Sequence, residues 1–186
     1  MESLQRETWD AAALHMFDDI YSLITTGPRL HPDWHRDVLA IMAREVEDPR
    51  GWSTLEWDIE GRTEENPTFP FASPTVEILA TRLYEISTES AEELLAAMTY
   101  EGYEIANIPT FAERKPGLLM EARTLLSRYE PDFTCYTNLT DARVTKSLDS
   151  SLMTHGWAPL TEYVEDYGVI VVSETEVGLF WFFNPL

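Results

Sequence analysis

Cysteine and glycine are scarce in this chain, and each scarcity excludes a class of protein. Cys135 is the only cysteine, so no disulfide can form within the chain. Glycine occurs only eight times, without the G-x-G-x-x-G or Walker spacing through which backbone amides cradle phosphate. A nucleotide-binding loop of a known type is therefore not expected.

Long apolar runs and a secretory pattern are also missing. The most apolar stretches, Val169 to Val172 and Leu179 to Phe183, have the length of strands, whereas a membrane helix needs about 20 apolar residues. The first residues lack the basic-then-apolar order of a signal peptide. We expect a cytoplasmic protein that does not span a membrane, and no cofactor is predicted.

Basic residues are few, whereas acidic residues are abundant. The 186-residue chain has 33 acids and 13 bases, with a formal net charge of -20. Such a charge opposes contact with the phosphates of nucleic acids or membranes, and we find no local basic patch that would override it. Apolar residues make up 44% of the chain, enough to build a core without a metal or a disulfide. We expect a single globular domain over residues 1–186.

Hydrophobic periodicity predicts an α+β fold of about five to six helices on a small antiparallel sheet. Helical spacing is found in five segments, and period-two or continuous apolar patterns in five others. The predicted helices are Trp9 to Ile24, Pro32 to Val46, Ser73 to Ile86 with Ser73 as its cap, Ser90 to Met98 with Ser90 as its cap, and Leu118 to Tyr129, with a weaker helix over Thr140 to Leu152. The predicted strands are Leu55 to Glu60, Tyr103 to Ile108, Phe133 to Asn138, Val169 to Val172 and Val177 to Phe183.

The last two strands form the clearest signal, a C-terminal β-hairpin around Ser173 to Glu176. Because this hairpin is apolar on both faces, it must be an inner part of the sheet. We expect the helices over one face and the strand from Phe133 alongside.

Candidate chemistry is sparse. His31 and His35 are four residues apart and can face one metal with Asp33 or Asp37, but Pro32 opposes a helix at His31 and no third ligand can be named. Cys135 can serve as a thiolate with His155 as its base, although a lone cysteine on a strand is typically a small buried hydrophobe. Neither pattern amounts to a signature, so no catalytic or metal-binding residue is assigned.

Two further patterns are ambiguous. The adjacent acids at 18–19 and at 165–166 can supply paired carboxylates, but such pairs are expected by chance among 33 acids. Trp52 follows Gly51 in a loop and is the best candidate for an exposed aromatic anchor.

The distribution of acids carries the functional prediction. No base lies between Arg82 and Arg114, and none follows Lys146. If the acids of both stretches gather on one face, they form a docking surface for a basic protein. The residues assigned to that surface are Glu85, Glu89, Glu92, Glu93, Glu101, Glu104, Glu162, Glu165 and Asp166; Asp149, Glu174 and Glu176 lie in the same second stretch.

The sequence therefore favours a non-catalytic acidic protein that inhibits a basic partner, as an immunity-type inhibitor or a nucleic-acid mimic does. One alternative is an enzyme or small-ligand-binding protein whose site combines His31, His35, Asp37 and Trp52. Another is a scaffold or assembly subunit, for which an exposed apolar patch near the C-terminal hairpin would be the cue. The oligomeric state is open.

Overall fold

A computed structural model describes residues 2–17, 22–46, 61–99, 109–148 and 156–184. These ranges contain five α-helices and a five-stranded sheet, so the predicted α+β class is confirmed. The elements in chain order are α1 (Glu2–Met16), β1 (Ser22–Pro28), α2 (Trp34–Met42), α3 (Val76–Arg82), β2 (Tyr84–Ile86), α4 (Thr88–Ala97), α5 (Pro109–Leu126), β3 (Phe133–Thr137), β4 (Glu165–Ser173) and β5 (Glu176–Asn184).

The strands form one antiparallel sheet in the order β1-β5-β4-β3-β2. The predicted C-terminal hairpin is confirmed as β4 and β5, which pair from Glu165 with Asn184 to Val172 with Val177. The strand from Phe133 pairs with β4 as expected, and β1 pairs with β5 along the edge that faces away from β4. The hairpin is therefore the centre of the sheet.

Both faces of the hairpin are covered, whereas the sequence predicted helices over one face only. Alternate residues of β4 enter two separate cores: Val169 and Val171 pack under α1, α4 and α5, while Ile170 and Val172 pack under α2 and α3. A strand that is apolar on both sides exposes hydrophobic surface unless each side is covered. The second helical layer follows from that requirement.

The predicted helix from Trp9 to Ile24 is wrong in its last part. The helix α1 ends at Met16, and Leu23 and Ile24 belong to β1, where they pair with Trp181 and Phe180. The three-residue and four-residue spacing continues by coincidence into a β-branched segment. Pairing with a buried strand outweighs local helical periodicity there.

Two predicted helix starts are also wrong by two or three residues. The N-cap of α3 is Thr75, which accepts from the amide of Ile78, and not Ser73. The N-cap of α4 is Ser87, which accepts from the amide of Ser90. The helix α3 ends at Arg82, so Ile86, which was predicted at the end of that helix, lies in β2.

The helix from Leu118 is confirmed as part of a longer one. The helix α5 begins at Pro109 and runs through Pro116, a stretch that the predicted helix did not include. Of the segment predicted as helix from Thr140 to Leu152, the part described, up to residue 148, forms a 3-10 turn at Thr140–Arg143 and no α-helix. The predicted strands over 55–60 and 103–108 lie outside the described residues.

Candidate functional site: the turn end of the sheet

Three of the predicted surface acids are neutralised by bases that are distant in sequence. The stretch between Arg82 and Arg114 contains no base, but its acids are not all unpaired in the fold, because bases on other elements form ion pairs with them. The ion pairs are Glu85 with Lys146, Glu92 with Arg123 at 2.8 Å and Glu93 with Lys115 at 2.6 Å. Glu89 is exposed and forms no ion pair among the described residues, and Glu101 and Glu104 lie outside them.

The acids of the C-terminal stretch have three different environments. Glu165 and Asp166 are buried, with 3% and 0% of their surface exposed, so they contribute no docking surface. Glu162 and Glu174 are exposed. Glu176 accepts two hydrogen bonds from Arg128, at 2.8 and 2.9 Å, and this charge-assisted pair raises the pKa of the guanidinium.

Asp166 has a structural role at the start of β4. One carboxylate oxygen accepts from the amides of Leu160, at 2.6 Å, and Thr161, while Oδ1 has no partner among the described residues. Burial raises the pKa of this carboxyl to about 6, against the hydrogen bonds, which lower it. Asn138 supports the same loop by donating to the carbonyl of Ala158.

The two exposed acids of this stretch lie at opposite ends of the sheet. Glu162 precedes the first residue of β4, and Glu174 follows the last. Nine residues of strand at about 3.3 Å per residue separate them by roughly 25 to 30 Å. The expected single negative face therefore does not include both.

Four exposed acids lie toward the same end of the sheet, where β4 turns into β5. Strand register explains why: Phe133 pairs with Ser173, so residues just before β3 lie beside the β4–β5 turn. Because β2 is antiparallel to β3, its exit into α4 lies at that end as well. We call these acids the turn-end cluster; they are Glu89, Glu130, Asp132 and Glu174, and none forms an ion pair within the part of the chain that the structure describes.

Beside this cluster lies a groove with a volume of 480 Å³, between the start of α4, the last turns of α5 and the start of β3. Its walls combine apolar, hydroxyl and charged side chains. They are Thr88, Glu92, Met120, Arg123, Thr124, Leu126, Ser127, Glu130 and Phe133. The groove is open to solvent along one side, and Met120 is 65% exposed on its rim.

No family model, curated protein or solved structure matches this chain.

The sequence identified only part of this site. Glu89 and Glu92 were predicted, whereas Glu130, Asp132 and the cation Arg123 were missed. Glu130 and Asp132 flank Pro131 immediately before a predicted strand, so their position at a strand end was readable. Only the pairing of β3 with β4 shows that the start of β3 lies beside the β4–β5 turn.

The histidines considered as metal ligands are each engaged by a nearby carboxylate. His31 Nδ1 lies 2.6 Å from Asp37 Oδ1, and His35 Nδ1 lies 2.7 Å from Asp33 Oδ1. The bond from His35 holds the pKa of Asp33 below its usual range. Among the described residues, no group of three or more potential ligands is placed to hold a metal ion.

Asp37 stabilises the loop before α2. Its buried carboxylate accepts from the amides of Leu30 and His31, both at 3.2 Å, as well as contacting the imidazole. An acid saturated in this way positions backbone and is not poised as a ligand. Trp52, the fourth residue of that alternative site, lies outside the described residues.

Cys135 is a buried core residue on β3. Burial raises the pKa of its thiol to about 12, so the thiolate that a nucleophile needs is not formed at neutral pH. His155 and the acids at 18–19 lie outside the described residues. No helix in the described ranges has the length and apolar character that crossing a bilayer requires.

Proposed function

We propose that the protein is a non-catalytic acidic binding protein that docks onto a basic surface of another protein and thereby inhibits it. The turn-end cluster is the docking surface. The observation that supports this function is that strand register brings four exposed carboxylates, none of them ion-paired among the described residues, to one end of the sheet in a chain of net charge -20. Two arginines at that end are engaged by other groups: Arg128 pairs with Glu176, and Arg29 donates to the carbonyl of Ser173.

The physical basis is long-range attraction. Exposed charges of one sign on one end of a molecule orient an oppositely charged partner before contact, which raises the association rate. Salt at about 0.15 M screens such charges beyond about 8 Å. The binding rate should therefore fall steeply as salt is added, while the dissociation rate changes less.

The two rival functions have less support. In the site built from His31, His35 and Asp37, the Asp37 carboxylate is bound to neighbouring backbone amides and to the His31 imidazole, and His35 contacts Asp33. A scaffold was expected to expose apolar surface at the C-terminal hairpin, but the described apolar side chains of β4 and β5 are buried.

The test begins with affinity purification from the source cell at low and high salt. Each captured protein is then purified, and its association rate with the full chain is measured as a function of ionic strength. A partner of high isoelectric point whose association slows as salt rises is expected. Retention of only neutral or acidic partners, insensitive to salt, would contradict the proposal.

Two variants with equal charge change locate the surface. The turn-end variant carries Glu89→Gln, Glu130→Gln, Asp132→Asn and Glu174→Gln, and the control carries Glu45→Gln, Glu64→Gln, Glu65→Gln and Glu162→Gln, which are exposed acids elsewhere. Each removes four negative charges from the same total. At low salt the turn-end variant should associate about 10-fold more slowly, and the control at nearly the original rate. Equal slowing in both would show that only net charge matters.

A further inference from the structure

The groove beside the turn-end cluster presents hydrogen-bond acceptors. Thr124 Oγ1 donates to the carbonyl of Met120 at 3.1 Å, and Ser127 Oγ donates to the carbonyl of Thr124 at 2.8 Å. With its hydrogen used in this way, each hydroxyl has only lone pairs left to offer. Glu92 and Glu130 add two carboxylates. The complementary ligand is therefore rich in donors and positively charged.

A cation of the chain itself already occupies one of these acceptors. Arg123 Nε donates to Glu92 Oε2 at 2.8 Å. The Arg123 side chain is 63% exposed, whereas that of Glu92 is only 13% exposed. An ion pair with so much exposure on one side contributes little to stability, so a second cation can replace Arg123 at little cost.

The apolar part of the groove wall is suited to a side chain with an aliphatic stem and a charged end. Met120 is exposed at the rim, and Phe133 is half-buried beside it. An arginine side chain buries its methylene groups on apolar surface while its planar guanidinium donates to several acceptors at once. A lysine fits the apolar wall equally well but offers a point charge without the bidentate geometry.

We propose that this groove seats one arginine side chain of the basic partner, whose guanidinium displaces Arg123 from Glu92 and whose stem packs on Met120 and Phe133. In the unbound protein, Arg123 then occupies the position on Glu92 that the partner's guanidinium takes on binding. This inference rests on the proposed function and names the chemical group by which the partner is anchored.

In the experiment, three small probes are added to the full chain, and binding is detected by NMR through the signals of the backbone amides and the methionine methyl groups. The probes are N-acetyl-arginine methylamide, the lysine equivalent and the citrulline equivalent, which keeps the shape of arginine without its charge. Arginine should shift the signals of Met120, Ser127 and Phe133 at millimolar concentration. Lysine should bind several-fold more weakly, and citrulline should not bind there.

Three variants test the displacement. Arg123→Gln frees Glu92 and should tighten arginine binding about 3-fold to 10-fold, whereas Glu92→Gln should weaken it by a similar factor. Lys146→Gln is the matched control, because it removes the same charge and frees Glu85, an acid that does not line the groove. It should leave arginine binding in the groove unchanged.

Several results would overturn the inference. One is that the arginine probe produces no shifts in the groove, and another is that inorganic phosphate binds at Arg123 in place of the cation. The others are that Arg123→Gln binds the arginine probe more weakly than the original chain does, or that Lys146→Gln tightens its binding as much as Arg123→Gln does. If the purified partner depends on the turn-end cluster while the arginine probe leaves the groove unshifted, the proposed function stands and this inference fails. If the probe occupies the groove but every partner is insensitive to salt, the proposed function fails and the guanidinium site stands.

Discussion

The backbone amide of Leu160 donates to the carboxylate of Asp166 at 2.6 Å, inside a layer from which water is excluded. This bond joins the loop before β4 to the strand itself. Burial of the Asp166 carboxyl makes its ionisation unfavourable and raises its pKa to about 6 from an ordinary value of 3.8, although this hydrogen bond acts in the opposite direction. The consequence is a stability that depends on pH.

Replacing Asp166 with Asn should change that pH dependence. A raised folded-state pKa stabilises the fold fully below pH 3.8, and this contribution is lost as pH rises through about 6. Two pKa units correspond to about 3 kcal/mol, taken as an upper bound. The free energy of unfolding of Asp166→Asn minus that of the original chain should therefore increase between pH 4 and pH 7.

Urea unfolding across that pH range measures the difference, because other acids cancel in the subtraction. Asp132→Asn, at an exposed position, is the control for the loss of one carboxylate. A difference for Asp166→Asn that does not change with pH would show that its carboxyl titrates normally.

Gly168 lies under the ring of Trp181, and an alanine there should destabilise the fold strongly. An added Cβ would lie 2.5 Å from Trp181 Cε3 and still closer to the carbonyl oxygen of Phe180 on the paired strand. Backbone in the centre of a sheet cannot move aside, so we expect a loss of about 3 kcal/mol or more. Gly117→Ala, where no atom lies within 4 Å and the residue is helical, should instead stabilise by up to about 1 kcal/mol.

Thermal and urea unfolding of the two variants give the comparison. If Gly168→Ala and Gly117→Ala changed the free energy of unfolding equally, the flexibility of glycine, and not the close approach of Trp181, would decide the effect of the substitution at Gly168.

Asp37 should matter for stability far more than its imidazole partner. Asp37→Ala leaves the amides of Leu30 and His31 without their acceptor, at a cost of about 2 to 4 kcal/mol. His31→Ala removes a half-exposed ring and should cost about 1 kcal/mol or less. Chemical unfolding measures both; a larger effect of His31→Ala would point to a role for the imidazole beyond this loop.

Cys135 should react with thiol reagents only through unfolding. Its pKa of about 12 and its burial leave neither thiolate nor access at pH 8. The rate of labelling by a disulfide reagent should therefore be slow in buffer and rise with urea in step with the unfolding transition. Rapid labelling in buffer would mean that β3 opens locally.

The placement of the acids shows how far sequence reasoning reaches. A base-free stretch is a property of the sequence, but Lys146, Arg123 and Lys115 pair with three of its acids from other parts of the fold. Strand pairing brings Glu130, Asp132 and Glu174 together with Glu89, although 85 residues of sequence separate the first and last of these acids. Charge counting along the chain cannot anticipate either result, because ion pairs form through space.

The sequence by itself determined the central hairpin, the α+β class and the excess of negative charge. Those properties depend on composition and on short-range periodicity, which each segment carries alone. Only the tertiary structure decided that β1 is a strand, that helices cover both faces of the sheet, and which carboxylates remain exposed without a cation. Each of these depends on packing partners that are distant along the chain, and the free energy of burial and pairing outweighs the local preference of any one segment.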